Sequence, residues 1–558
     1  MGRFFIASSI VVIASLGMNS AWAAGGSDAE IVAKINAYVR QGWKENEVEP
    51  SEHAADGEWV RRVSLDVVGH IPSFDRLMDY LEDRSTDKRA KFVDRLLEDP
   101  DYVRHWTNLW GNLLVGRAGN RRGGRAALER WLRRELHRNT PYDKFVYALV
   151  SAEGSVQKNG AVAYLAGQLN DGAVPATSRT SRIFLGMQVQ CTQCHNHPFN
   201  KWKQEQFWAM NGFFRGTRRG RGDKRGQFSL TDNPTKSLIF FENRQALLKV
   251  TPRRFVDGTA VKMDAESKPR QQLAKLITDP SKPYMANAAV NRMWGHFFGY
   301  GFTRPVDDMG PHNPPSHPEL LAYLATQFKE AGYDVKRLIR WITLSEAYGL
   351  SSKFGEKNAA DKPSAGNTPL FSRMYLKQFT AEQLYDSLLI ATDADKAGRT
   401  SGAAEKQRQT WLRQFVQAFG TDENDEATTF DGTIPQALLL MNGALIQSAV
   451  GGKQGGFLKK VLDSPGGDLR ALKKRKPARR RPRRLTRAQL ESLRKKQLKS
   501  VPQRIETLFL VALARQPSTA ELEALDKAYQ EGKYTDPVAG LQDLFWAILN
   551  SNEFITNH

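Results

Sequence analysis

The 558 residues are 41% hydrophobic and 10% aromatic, which is too long for one ordinary core and too apolar for a disordered chain. The net charge of +21 has the size of a nucleic-acid footprint, but its placement argues against nucleic acid as a partner. Ala471–Ser500 holds fourteen Lys or Arg against one Glu, so most of the excess sits in one tract.

The chain opens with Arg3, an apolar run from Phe4 to Leu16, and Ala21-Trp22-Ala23, the pattern of a signal peptide over 1–23. Export to the periplasm or cell surface is therefore expected. No other stretch approaches the roughly 20 apolar residues of a membrane span, so none is expected after cleavage. The chain has two cysteines, Cys191 and Cys194, three residues apart. An exported protein held by disulfides would spread them along the chain, so packing must hold this one.

Apolar residues at helical spacing predict a helix over Ala29–Val39 and another over Trp59–Asp66. A third starts after Ser73 as cap. Lys88–Leu97 follows, stopped by Asp99-Pro100, and Tyr102–Leu114 brings Trp106 and Trp110 to one face. Leu128–Leu136, Tyr142–Leu149, Ser178–Val189 and Gln204–Phe214 are further predicted helices. Arg215–Gly226 is Gly/Arg-rich and marks a boundary, and alternation over Phe228–Val261 predicts a few strands. Helices resume over Gln271–Ile277, Ala286–Phe298, Glu319–Ala331 and Val335–Ser345. They continue over Ala381–Ile390, Lys406–Phe415, Ile434–Ala449, Val501–Leu513, Ala520–Tyr529 and Val538–Asn550. The fold class is mainly α: a helical domain over 24–214, a β-containing, Gly/Arg-rich connection over 215–265, and a second helical domain over 266–558. A disordered basic insertion is expected over 465–500. After export it would suit anionic polysaccharide, lipid head groups or an acidic protein.

One motif carries sharp chemistry: Cys191-Thr192-Gln193-Cys194-His195-Asn196-His197-Pro198. Two thiols separated by two residues can add to the two vinyl groups of one haem. A His directly after the second Cys is then placed to bind the iron. Cys191, Cys194 and His195 are the candidate haem c residues, with His195 on the metal. Three alternatives stay open: a Cys191–Cys194 disulfide, zinc or another metal held by Cys191, Cys194, His195 and His197, or thiols that only pack. Met187, Met210, His296, His312 and His317 are within the range of choices for the sixth iron ligand, and none sits in an identifying pattern. The second cluster, Asp307-Asp308-Met309-Gly310 through His317-Pro318-Glu319, reads first as a helix start capped by Ser316. Its two carboxylates with His312 and His317 would also suit a metal or acid–base work.

With these residues the chain resembles a large family of secreted planctomycete proteins. That family pairs the cytochrome-like domain-of-unknown-function family 1549 with family 1553. The first half resembles family 1549 at Trp59-Val60-Arg61-Arg62-Val63-Ser64-Leu65-Asp66, at Arg95–Tyr102, and at the Cys motif through Trp202. The second resembles family 1553 at Val290-Asn291-Arg292-Met293-Trp294-Gly295-His296-Phe297-Phe298-Gly299, Ser316–Leu321, Leu344–Tyr348, Pro435–Leu438 and Ala547–Phe554. The resemblance implies a cytochrome-like protein connected with sulfated polysaccharide. Many members carry Asp where this chain has Asn196 and Asn200, which weakens any carboxylate role there.

The expected function is an exported c-type haem protein in electron transfer or oxidative chemistry, with a redox partner or anionic polysaccharide as its contact. The alternative is a haem-free metal-dependent enzyme built around His312 and His317, or a structural cell-envelope protein bound to anionic polysaccharide. The sequence leaves open whether the protein is an enzyme and what oligomer it forms.

Overall fold

The protein is mainly α, and in this computed structural model its helices follow the predicted order. The structure describes residues 26–117, 124–198, 200–222, 227–233, 238–263, 266, 268–419, 434–464, 469, 501–531 and 536–558. The segment 1–23 read as a signal peptide and, apart from Leu469, the expected basic insertion 465–500 lie outside the described residues.

The first half runs α1 (Asp28–Glu45), α2 (Asp56–Val68), α3 (Phe74–Glu82), α4 (Lys88–Leu97) and α5 (Pro100–Val115). It continues with α6 (Arg125–His137), α7 (Tyr142–Val150), α8 (Ala163–Ala166), α9 (Asn170–Thr180) and α10 (Gln204–Asn211). Local chemistry sets the boundaries. Ser27 and Glu30 form a capping box for α1, whose Ile31, Ile35, Val39 and Trp43 make one buried stripe. Ser73 caps α3 as expected. Asp99-Pro100 does more than stop α4: Asp99 accepts from the Asp101 N–H and Pro100 is the first residue of α5.

Strands occupy the connection. β1 (Gly154–Ser155), β3 (Phe228–Asp232) and β2 (Thr217–Arg221) form an antiparallel sheet in that order. β4 (Leu238–Glu242) and β5 (Leu248–Pro252) form a separate hairpin in which Phe240 faces Val250. β2 lies inside the run that sequence alone marks as Gly/Arg low complexity.

The second half begins with α11 (Pro269–Ile277), α12 (Tyr284–Phe298), α13 (Pro318–Glu330) and α14 (Val335–Thr343). After β6 (Lys377–Gln378) come α15 (Ala381–Thr392), α16 (Ser401–Phe419), α17 (Ile434–Asn442), α18 (Ala444–Val450) and α19 (Phe457–Asp463). The last elements are α20 (Val501–Leu513), α21 (Thr519–Gln530), α22 (Pro537–Leu549), α23 (Asn552–Ile555) and β7 (Thr556–Asn557), which pairs with β6. Ile434–Ala449, predicted as one helix, is two, parted at Gly443.

Two hydrophobic cores result. The larger joins the first half to α11–α14, from Ile31 through Tyr375. The smaller packs α15–α23. Helix α2 belongs to both: Trp59, Val60, Val63 and Val67 enter the larger core, and Leu65 enters the smaller. From Trp59 to Val68 this helix has no solvent face, so its charged side chains there need partners inside. Arg61 donates to the carbonyls of Ala512 and Phe554, and Arg62 to those of Tyr348 and His558. Burial pulls the Arg61 guanidinium down to about 9. Asp66 accepts from Lys377 Nζ, Tyr348 Oη and Asn557 Nδ2, each at 2.7 Å. Lys377 Nζ also donates to the carbonyls of His296 and Phe297, which closes the C-terminal end of α12.

Candidate functional site

The Cys motif is held from both sides. Upstream, α9 runs into a π-helical turn, Ser181–Leu185, a geometry that recurs near functional sites. The helix predicted over 178–189 stops there because Gly186 is left-handed, with φ of 67°. Its carbonyl accepts from the Met309 N–H at 2.7 Å, and a Cβ at 186 would sit 2.8 Å from Met309 Sδ. Asp307 reinforces the clip, accepting from Gln188 Nε2 at 2.9 Å and pairing with Arg182 at 3.3 Å.

Downstream, Gln193 O accepts from Trp208 Nε1 and Gln204 Nε2 of α10. Asn196 Oδ1 accepts from the Gln204 N–H at the start of that helix. Asn200 Oδ1 accepts from the Trp202 N–H, and Trp202 O from the His197 N–H. Both asparagines thus use one side-chain oxygen to close the loop. A carboxylate would fill the same acceptor role, so Asp at these positions in relatives needs no catalytic explanation.

Between the two anchors lies a short 3₁₀ turn, Gln190–Gln193, with Cys194 just beyond. Side chains three apart eclipse on such a turn, so Cys191 and Cys194 share one side. Both are exposed, and neither forms a disulfide. Thr192 points inward and is buried. His195 Nδ1 lies 2.6 Å from the Asn196 carbonyl. A carbonyl only accepts, so Nδ1 is the donor, and in the neutral ring Nε2 is then the nitrogen with the lone pair, the tautomer a metal-ligating imidazole needs. Two exposed thiols on one side of a turn and an imidazole with Nε2 open are a donor set that fits covalent haem.

The other candidate histidines divide. His312 comes to the Cys loop: its ring centroid lies 6.1 Å from that of His197. His312 Nε2 bonds Asp308 at 3.1 Å, while Nδ1 is buried without a hydrogen-bond partner among the described residues. His197 Nδ1 accepts from the Asn200 N–H at 3.2 Å. His317 goes elsewhere. It stands at the start of α13 without capping it, packs on Phe371 and Phe302, and presses Nε2 against Gly42 of α1. Burial pushes its imidazole down to about 4. Ser316, predicted to cap α13, bonds His317 Nδ1 instead. His296 Nε2 is committed to the Asp66 carbonyl, and Met187 and Met210 are buried in the larger core. Among the described residues, no three His, Cys, Asp or Glu side chains are grouped to hold a metal ion, so zinc finds no preformed cage there.

Two family descriptions fit this arrangement. PSCyt2, a protein of unknown function (DUF1549), matches residues 34–219. PSD1, a protein of unknown function (DUF1553), matches residues 269–529. The chain belongs to the family that pairs these two domains. No curated protein and no solved structure matches it. The Cys motif lies in the PSCyt2 region and Asp307–His317 in the PSD1 region, so the contact of His197 with His312 joins the two.

Sequence reasoning missed three features. The Asp66–Lys377–Tyr348–Asn557 cluster gave no signal, because nothing local marks a lysine as buried. His105 and His296, with rings 6.0 Å apart, are both held below the usual imidazole range by burial. An open cleft of about 710 Å³ lies between Phe302–Pro305, Asn313–Ser316 and Ser364–Pro369.

Proposed function

We propose that this is an exported c-type haem protein whose attachment site is the 191–195 loop. Cys191 and Cys194 would form the two thioethers and His195 Nε2 would bind the iron. Each thiol adds across one vinyl C=C, sulfur to one carbon and hydrogen to the other, so attachment needs no oxidant. Haem, once bound, supplies a one-electron redox centre. The protein's own share is to hold the two sulfurs on one side of the turn and fix the His195 tautomer through the Asn196 carbonyl. What carries the reading is the conjunction of exposed, unpaired thiols with a His195 whose Nε2 is left as the acceptor. His312, the PSD1-region histidine packed against the loop with Nδ1 unpartnered among the described residues, would be a second residue to hold the group.

The test is the pyridine haemochrome spectrum of protein matured in a host able to attach haem c. A c-type band that weakens in Cys191→Ser and in Cys194→Ser supports the reading, and colourless mature protein ends it.

A second reading rests on the cleft. Thr303, Arg304, Ser316, Ser364, Asn367 and Thr368 give it hydroxyls, amides and a cation, a lining suited to an anionic polysaccharide segment. Salt-sensitive binding of dextran sulfate that persists in Ser364→Trp, which would fill the cleft, would remove this reading.

A further inference from the structure

Cations and aromatic rings alternate in the second half, and two of the cations are left without an anion. Arg304 lies 5.1 Å from the Tyr300 ring, and Tyr300 meets Tyr375 edge-on. Arg373 lies over both Tyr375, at 5.1 Å, and Phe354, at 4.9 Å. Lys362 Nζ stands 6.0 Å from that same Phe354 ring, which is 49% exposed. Rings hold a guanidinium in place without neutralising it. Arg373 Nε is buried without a hydrogen-bond partner, and the side chains of Arg373 and Lys362 have no hydrogen bond or ion pair among the described residues. The nearby carboxylates are committed elsewhere. Asp361 is buried and accepts from the Leu370 and Ser372 N–H groups, Ser372 Oγ and Tyr375 Oη. Glu49 and Glu52 pair with Lys357 and Lys353. Glu356, exposed, is the remaining carboxylate of the 351–376 segment. The two free cations adjoin the open cleft: Lys362 is two residues before Ser364 of its wall, and Arg304, itself on the wall, donates to the Pro363 carbonyl.

We propose that Arg373 and Lys362 form an oxyanion subsite beside this cleft, for a phosphate or sulfate monoester of a hydroxylated ring. A guanidinium presents a planar fork of donors and an ammonium a movable point charge. Two such cations at one ring suit a tetrahedral group with several acceptor oxygens. They also repel each other, and a bound dianion removes that repulsion. A phosphate monoester carries about 1.5 to 2 negative charges near pH 7, so it matches two cations better than a singly charged carboxylate does. The ring of the ligand would lie in the cleft, where Ser364, Asn367 and Thr368 supply hydroxyls and an amide. To that extent the inference rests on the cleft reading, and it stands whether or not the Cys loop carries haem.

Equilibrium titration of the whole protein with glucose 6-phosphate, glucose 6-sulfate and, as the neutral control, glucose tests it. Lys362→Gln and Arg373→Gln each remove one cation and leave the basic tract 473–484 intact. Lys362 is exposed, so the unfolding midpoint of Lys362→Gln should match the wild type. The wild type should bind the phosphate ester more tightly than the sulfate ester and glucose least, with an affinity that falls as salt rises. Lys362→Gln should weaken binding of the phosphate ester about threefold, and Arg373→Gln about tenfold. Unchanged ester affinity in either variant, glucose bound as tightly as its esters, or no ester binding by the wild type overturns the proposal. Ser364→Trp separates it from the cleft reading. Esters that still bind Ser364→Trp, with the same dependence on Lys362 and Arg373, keep the subsite and remove the cleft reading. Binding lost in Ser364→Trp but unchanged in both cation variants keeps the cleft and removes the subsite.

Discussion

Helix α2 and the 191–200 loop are both polar and both specific, yet they spend their polar groups in opposite ways. In α2 the charges of Arg61, Arg62 and Asp66 are buried and bonded: Asp66 has three donors, Arg62 reaches two carbonyls and Glu58, and Arg61 reaches the Ala512 and Phe554 carbonyls in the smaller core's C-terminal segments. What these bonds do is hold the two cores together. In the loop the side-chain oxygens of both asparagines are bonded, while the two thiols and His195 Nε2 have no partner among the described residues. A region whose buried charges are bonded to both cores is architecture. A region that builds a frame and leaves its reactive atoms open is the one to which we assign the proposed attachment.

The largest expected effect breaks the architectural side. Asp66→Ala strands the buried Lys377 ammonium, which burial already disfavours. Removal of one partner from such a pair destabilises by about 3–5 kcal/mol, to be read from urea unfolding. A loss under about 1 kcal/mol would show that the cluster is not the joint described here.

Acid should then erode the fold through His317. Its folded imidazole titrates at about 4, below the unfolded value near 6.5, so the unfolded chain takes up the proton first. The contribution is full above the unfolded value and is lost as pH falls from there toward 4, up to about 3 kcal/mol. His317→Asn should flatten the stability–pH curve across that window. His105 and His296 add to the slope in the same direction, so an unchanged curve in His317→Asn would assign the acid sensitivity to them.

His312 sharpens the comparison at the loop. In haem-loaded protein, His312→Ala should convert a six-coordinate spectrum to a five-coordinate one without loss of covalent haem. An identical spectrum would dismiss His312 as a second ligand. The smallest effect is at the frame itself. Asn196→Asp keeps the acceptor for the Gln204 N–H and adds a negative charge at the start of α10, worth a few tenths of a kcal/mol in stability. A large loss there would mean that the asparagine amide has a further partner.

The helices were legible because their signals are local. Lys88–Leu97 and Val501–Leu513 have the predicted bounds, set by an amphipathic stripe and by helix-ending or helix-starting residues. The failures are tertiary. The helix end at Gly186 is marked locally by the glycine alone, and what excludes a side chain there is Met309, more than a hundred residues away. Ser316 has the chemistry of a cap, but the neighbouring His317 takes its hydroxyl. The Cys loop was legible as a motif, and the role proposed for His195 rests on its position in it. That His312 reaches the loop and His317 does not was invisible, because both sit in one short run and only the packing of α1 and α13 separates them.

Intact-mass spectrometry of protein matured in a haem-attaching host tests the central claim most directly. The wild type should carry the mass of one haem, and the double variant Cys191→Ser/Cys194→Ser should lack it. Both thiols are exposed, so the apoproteins of the two should unfold within about 0.5 kcal/mol of each other. A wild-type mass equal to that of the bare polypeptide, or a variant that still carries haem, would contradict the account.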